Sequence, residues 1–236
     1  MIMKDLIPVF AGLIFPPTCL FCGKPGHLEL DLCESCLDAM PFIGHTCHRC
    51  ALPLSGSSQP LTCGRCLKTP PHFDDAVSAF EYRDLAQELV TDLKYRARLP
   101  VARTLADLLW WTVRGRDIPD ALLPVPLHPR RLRERGFNQA VIIADMINRH
   151  TDCAIWRTEV WRDRDTASQT GLDAGERRKN VRGAFSIRGD IRARHVVIID
   201  DVITTGSTAN EIAGLLKRHG VERVSLWSVA RAPLDV

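Results

Sequence analysis

An apolar run that ends in two adjacent carboxylates constrains this chain more than any other feature. Val196, Val197, Ile198 and Ile199 lead into Asp200 and Asp201, and then into Val202, Ile203, Thr204, Thr205, Gly206, Ser207 and Thr208. Consecutive β-branched residues without polar alternation suit a strand buried on both faces, as in the interior of a parallel sheet. The pattern predicts a strand over 196–200, then a turn over 204–208 whose backbone N–H groups open a helix over 208–219. Such a helix start binds anions. Ionised carboxylates accept hydrogen bonds from hydroxyls and repel phosphate. An acidic pair beside a phosphate cradle therefore suits a ligand with both a phosphate and free hydroxyls, and a ribose 5-phosphate has that chemistry.

The cysteines are the second constraint. Eight of the nine form four Cys-x-x-Cys knuckles: Cys19 with Cys22, Cys33 with Cys36, Cys47 with Cys50, and Cys63 with Cys66. A knuckle points two thiolates at one position, and two knuckles complete a tetrahedral zinc site. The first knuckle recurs at an offset of 28 and the second at an offset of 30, which is an internal repeat of a two-knuckle unit. That repeat predicts one zinc on knuckles one and two and another on knuckles three and four; an interleaved pairing is the other possibility. Four thiolates leave no open position for water, so both sites are structural. A disulfide framework would need an oxidising compartment, and no signal peptide supports one. His27, His45 and His48 are then bystanders, and Cys153 is a small packed residue.

Composition bounds the rest. A chain of 236 residues holds one substantial core and a small appendage. Residues 6–15 are apolar but too short to span a bilayer and follow Asp5, so a docking helix is expected there. No stretch approaches the ~18 apolar residues of a membrane span, and a soluble cytoplasmic protein is expected. The net charge of +3 does not mark a nucleic-acid binder; its distribution matters more. Over residues 16–70, Lys24, Arg49, Arg65 and Lys68 cancel Glu29, Asp31, Glu34 and Asp38, which disfavours phosphate neutralisation by the knuckles. Over residues 126–188, thirteen Lys and Arg outnumber eight Asp and Glu.

Pro70 and Pro71 close the knuckle module, giving an apolar helix at 1–15, a ribbon module at 16–70 and a larger domain at 71–236. In the larger domain, strands are expected over 77–82, 122–126, 159–162, 196–200 and 223–229. Helices are expected over 85–98, from Pro100 through Trp110 and Trp111, over 137–149 and over 208–219. Alternation of this kind implies a largely parallel α/β sheet. Ligands bind beyond the carboxyl ends of such strands, so the loops after Pro126 and Asp200 should share a crevice. The first loop, residues 128–139, carries Arg130, Arg131, Arg133 and Arg135 just before a helix start, a polyanion site suited to pyrophosphate. The polar, basic segment 162–182 reads as a mobile lid or a surface loop.

Residues 196–208 resemble the phosphoribosyl pyrophosphate (PRPP) motif of type I phosphoribosyltransferases. The order of parts over the whole chain resembles the ComF/GntX family: Phe15-Pro16-Pro17-Thr18-Cys19, the knuckles, Pro124-Val125-Pro126, Arg135-Gly136-Phe137-Asn138-Gln139, Ser168-Gln169-Thr170, Arg178-Lys179-Asn180-Val181 and the acidic-pair motif. The resemblance implies a type I phosphoribosyltransferase-like parallel sheet flanked by helices, behind a small N-terminal double zinc ribbon. It implies that Asp200 and Asp201 hold the ribose hydroxyls while Thr204, Thr205, Gly206, Ser207 and Thr208 wrap the 5-phosphate. Arg130, Arg131 and Arg135 would stabilise the departing pyrophosphate, Lys94 and Arg178 would add PRPP contacts, and magnesium would accompany PRPP beside two structural zinc ions.

The implied activity is phosphoribosyl transfer with release of pyrophosphate, in a protein linked to natural competence and use of imported DNA. The alternative is a non-catalytic PRPP or nucleotide sensor that engages single-stranded DNA or competence proteins. One position departs from 6-oxopurine salvage enzymes, which carry an Asp where this chain has Thr204. That disfavours hypoxanthine and guanine and leaves the acceptor open.

Overall fold

The computed structural model describes residues 16–54, 61–96, 98–165 and 179–233. The apolar segment 6–15, Arg178 and most of the expected lid lie outside them. Within the knuckle module are two short helices, α1 (Glu34–Asp38) and α2 (Gly64–Lys68). The chain then runs through β1 (Asp75–Glu81), α3 (Asp84–Arg96), α4 (Leu99–Val113), β2 (Ala121–Pro124), α5 (Pro129–Arg135) and α6 (Gln139–Thr151). It continues with β3 (Ala154–Ile155), β4 (Val160–Arg162), β5 (Phe185–Ile187), β6 (His195–Ile203), α7 (Ser207–Arg218) and β7 (Arg223–Arg231).

Five strands form one parallel sheet in the order β1-β7-β6-β2-β3. Strand β6 is its centre, and Val196, Val197, Ile198 and Ile199 are each 0% exposed. The two-residue period divides them between faces. Val197 and Ile199 enter the core with α3, α4 and α6, while Val196 and Ile198 enter the core with α7. This explains the unbroken apolar run, since a polar residue on either face would meet a helix layer. Each such side chain contributes about 1.5–3 kcal/mol relative to exposure.

The chain leaves β2 through α6 toward β3 at one side of the sheet, and leaves β6 through α7 toward β7 at the other. Neighbouring strands whose connections diverge open a crevice at their carboxyl ends. The acidic pair and the segment after Pro126 meet there. Among the described residues no helix is long and apolar enough to cross a membrane.

Three local expectations change. The strand expected over 159–162 lies outside the parallel sheet: β4 pairs antiparallel with β5, and the two-residue β3 takes the sheet edge beside β2. Asp152, in the left-handed conformation at the end of α6, turns the chain straight into β3, so the edge is filled before β4 is reached. Strand β6 runs through the acidic pair to Ile203, because β7 continues alongside it to Arg231. The arginine segment is a helix, α5, with Pro129 at its start, His128 Nδ1 accepting from the Arg130 N–H, and left-handed Gly136 at its end.

The knuckle module follows the open edge of β1, where the Ile43 N–H donates to Ala79 O (3.0 Å) and the Ala76 N–H to His48 O (3.1 Å). Covering an edge in this way removes a site of unwanted strand pairing. The two halves of the module pack into different cores. Cys19 and Cys33 join Phe80 and α3, whereas Cys47, Cys50, Cys63 and Cys66 join Phe73 and α7.

Candidate functional site

Adjacent residues of a strand point to opposite faces, so Asp200 and Asp201 occupy different surroundings. Asp201 is 4% exposed. Its Oδ2 lies 3.1 Å from Lys94 Nζ of α3 and accepts from Gln139 Nε2 of α6 at 3.3 Å, and its Oδ1 accepts from the Val202 N–H at 2.8 Å. Burial works against the Lys94 charge, but the Asp201 carboxylate outweighs it and raises the ammonium pKa. Lys94 also sits over the Tyr82 ring at 5.8 Å. Asp200 accepts from the Asp201 N–H at 2.9 Å. Desolvation, followed by the charge of Asp201, pushes the Asp200 carboxyl well above the usual range.

Beyond Ile203 the chain makes the turn that the sequence predicts. Gly206 has φ of +77°, a conformation that side-chain-bearing residues rarely adopt, and caps α7 without a side-chain bond. A small cavity of about 20 Å³ beside the start of α7 is lined by Asp200, Thr204, Gly206, Ser207 and Thr208 among others. The Thr205 and Ser207 hydroxyls bond each other at 2.7 Å, and the Ser207 N–H donates to Thr205 Oγ1 at 3.3 Å. A hydroxyl-bearing turn at a helix start has the chemistry to hold a phosphate monoester.

The segment Arg135 to Gln139 builds the opposite wall. Gly136 reverses the chain after α5, and Asn138 caps α6 through the Ala140 N–H (3.0 Å) while its amide donates to Val125 O (3.0 Å). Those two bonds leave Gln139 on the first turn, 6% exposed, where its Oε1 accepts from Arg135 Nη1 at 2.7 Å. A relay from Arg135 through Gln139 to Asp201 and Lys94 results. Arg130 donates to Glu134 (2.9 Å) and Asp165 (3.2 Å), and Arg131 lies 4.0 Å from Asp165.

Of the expected site residues, the structure brings together Lys94, Arg135, Asp200, Asp201 and Thr204 to Thr208. Arg130 and Arg131 stand beyond them, tied to Asp165. Gln139 has no expected role in the sequence reading although its motif stands out; its signal is its place at the first turn of a capped helix. Arg162 is also unexpected. It is 5% exposed at the end of β4, 5.6 Å over the Phe185 ring. Burial and the Arg131 charge lower its pKa, with Asp200 and Asp165 acting the other way. A three-residue strand carries no signal for that placement.

The cysteines assemble sequentially. Cys19, Cys22, Cys33 and Cys36 form one group and Cys47, Cys50, Cys63 and Cys66 the other, with the sulfurs of each group within 4.8 Å of one another. Tetrahedral zinc with bonds of ~2.3 Å needs sulfur separations near 3.8 Å, and Cys22–Cys33 at 3.5 Å, Cys50–Cys63 at 3.7 Å and Cys36–Cys22 at 3.9 Å fit that geometry. Burial and the neighbouring sulfurs push Cys36 up to about 12; a divalent cation bound among the sulfurs would neutralise part of the charge of four thiolates. His48 bonds Leu61 O and Thr62 outside the cluster.

Two family models match. One described as a double zinc ribbon domain covers residues 10–67, and one described as a phosphoribosyl transferase domain covers residues 134–234. The DNA utilization protein YhgH of Escherichia coli is 37% identical over 229 residues, covering 93% of this chain and 99% of that one. Competence protein F of Haemophilus influenzae is 36% identical over 227 residues, covering 91% and 96%. Competence protein ComFC of Bacillus subtilis is 25% identical over 224 residues, covering 90% and 88%. Among solved structures, an orotate phosphoribosyltransferase from Aeropyrum pernix aligns with 58% of this chain and 75% of its own at 18% identity, with a TM-score of 0.38. The two matched domains, in this order and at this identity over nearly the full length, make the chain a member of the ComF/YhgH family, a double zinc ribbon joined to a phosphoribosyltransferase-type domain.

Proposed function

We propose that this chain binds PRPP and transfers its phosphoribosyl group to a nucleophile, releasing pyrophosphate, in a process that uses imported DNA. The observation that carries the reading is the placement of a carboxylate pair at the open end of β6, next to the Thr204 to Thr208 turn and across from Arg135. The turn takes the 5-phosphate on its amides and hydroxyls, and Asp200, steadied by Asp201, accepts from the ribose hydroxyls. Arg135, held by Gln139, faces the side on which the pyrophosphate departs.

Catalysis then consists of holding the ribose while the anomeric carbon gains positive character, and of stabilising the leaving anion. Carboxylate oxygens and loop hydroxyls suit a hard divalent ion, and magnesium arriving with PRPP supplies neutralisation of the pyrophosphate. Asp201 is engaged by Lys94, Gln139 and a backbone N–H, so its role is to fix the geometry in which Asp200 meets the sugar. Arg130 and Arg131 reach the pyrophosphate by exchanging Asp165 for it. Thr204 has no proton acceptor for a 6-oxopurine, consistent with an acceptor of another class. The names of the relatives, DNA utilization protein and competence protein, support the process and not the reaction.

The test is calorimetric titration with magnesium PRPP, with ribose 5-phosphate and with pyrophosphate, followed by assay of pyrophosphate release with nucleobases, ammonia and nucleosides as acceptors. Binding with release establishes the transferase. Absence of PRPP binding overturns the reading.

A further inference from the structure

Arg231 is 0% exposed, the largest fully buried side chain of the described residues. It is the last residue of β7, opposite Ile203 of β6. Its Nη1 donates to the carbonyls of Ile203 (3.1 Å) and Thr204, where the chain leaves β6 for the turn, and to that of Ala232 just beyond β7. Its Nε donates to Cys50 O at 3.0 Å, inside the second zinc ribbon. Among the described residues Nη2 is buried without a hydrogen-bond partner, and the guanidinium's recorded partners are all carbonyls, with no Asp or Glu.

A buried guanidinium without a carboxylate requires another source of negative charge. A divalent cation with four thiolates keeps a net charge of about two negative units, which supplies the missing counter-charge. The ribbon and the turn also share a cavity of about 320 Å³, walled by Cys50, Cys66, Thr205, Gly206 and Ser207.

We propose that Arg231 couples the second zinc centre to the phosphate turn: the loaded tetrathiolate holds the guanidinium, and the guanidinium holds the carbonyls that set the course of Thr204 to Thr208. Zinc at Cys47, Cys50, Cys63 and Cys66 is then part of the ligand site, whereas zinc at Cys19, Cys22, Cys33 and Cys36 is not. Arg231 is a positioning residue, and the inference rests on the proposed function only for what the turn holds.

The experiment challenges the full chain, Arg231→Met and Arg231→Lys with a chromogenic chelator while alkylation of released thiols, mapped by mass spectrometry, assigns each loss to its centre. Outer partners of metal ligands contribute about 10–100-fold to metal affinity. Arg231→Met should lose zinc from the second centre by that factor faster, with the first centre unchanged. Amide exchange across residues 200–208 should rise in Arg231→Met and in the parent depleted of its second zinc, while exchange in α4 stays constant. Should Arg231→Met not fold, the depleted parent decides through the same exchange readout.

Coupling is reciprocal, so ribose 5-phosphate should slow release from the second centre alone in the parent and not in Arg231→Lys. Parental zinc release in Arg231→Met, or unchanged exchange over 200–208 after loss of the second zinc, would overturn the proposal. A turn that responds to zinc in a chain that binds no ribose 5-phosphate would support the coupling and overturn the functional reading.

Discussion

Lys94 Nζ lies 3.1 Å from Asp201 Oδ2, and the two side chains are only 24% and 6% exposed. This pair joins α3 to the end of β6, so the inner carboxylate of the acidic motif is part of the framework. Removing one member leaves the other buried and unpaired, which costs about 3–5 kcal/mol for a buried pair. The partial exposure of Lys94 puts the value near the lower figure. Lys94→Met should therefore lower stability by about 3 kcal/mol, and Lys94→Met with Asp201→Leu should recover much of it. Urea unfolding at constant m-value checks this; a shift within error for the single variant refutes a framework role.

Asp200 should behave in the opposite sense. Its folded pKa is raised by desolvation and by Asp201, so the folded chain keeps this proton to a higher pH than the unfolded chain does. That contribution to stability is full below the unfolded value of about 3.9 and is lost as pH rises through the raised folded pKa. Asp200→Asn removes this dependence and should raise the melting temperature at neutral pH. It should also weaken ribose 5-phosphate binding by roughly tenfold or more, since a charge-assisted bond contributes about 1.5–3 kcal/mol. Melting curves and titrations from pH 4 to 8 test both; a destabilised Asp200→Asn contradicts the assignment.

Gln139 should matter through Arg135. Gln139→Leu keeps the volume but removes both the acceptor for Arg135 and the donor to Asp201. Each lost bond is worth about 1 kcal/mol, and a freed Arg135 should lower pyrophosphate affinity about tenfold while ribose 5-phosphate binds almost as before. The exposed Arg133→Ala serves as the control. Equal loss in both variants would show that only total positive charge counts.

Metal content should separate the ribbons. The parent should carry two zinc ions per chain, because two four-cysteine groups are present. Cys22→Ser with Cys33→Ser should remove one zinc, and Cys22→Ser with Cys50→Ser should remove both, since sequential pairing puts the first two in one site. Elemental analysis of the purified chains gives the counts, and the reverse pattern would mean interleaved pairing.

Much of the architecture is local in origin and therefore legible in the residues. The β-branched run 196–199 demands two apolar faces, the turn at Gly206 demands a left-handed residue, and the repeated Cys spacing sets two metal sites. What the sequence by itself determined is most of the main elements and the chemistry that several carry: a buried central strand, its acidic end, a left-handed turn into a helix and paired knuckles.

Only the tertiary structure decided how those groups meet. Alternation alone puts Asp200 and Asp201 on opposite faces, but which face holds Lys94 and Gln139 depends on α3 and α6 packing there, 107 and 62 residues away in the chain. The arginine segment became a helix because its end conditions, Pro129 and Gly136, outweigh its charge. Strand β4 left the parallel sheet because β3 filled the edge first. Arg231 has no local pattern that announces it; its burial follows from β7 ending between the second ribbon and the turn after β6. Charges separated by the whole length of the chain acquire their pairing, and hence their strength, only when packing removes the water between them.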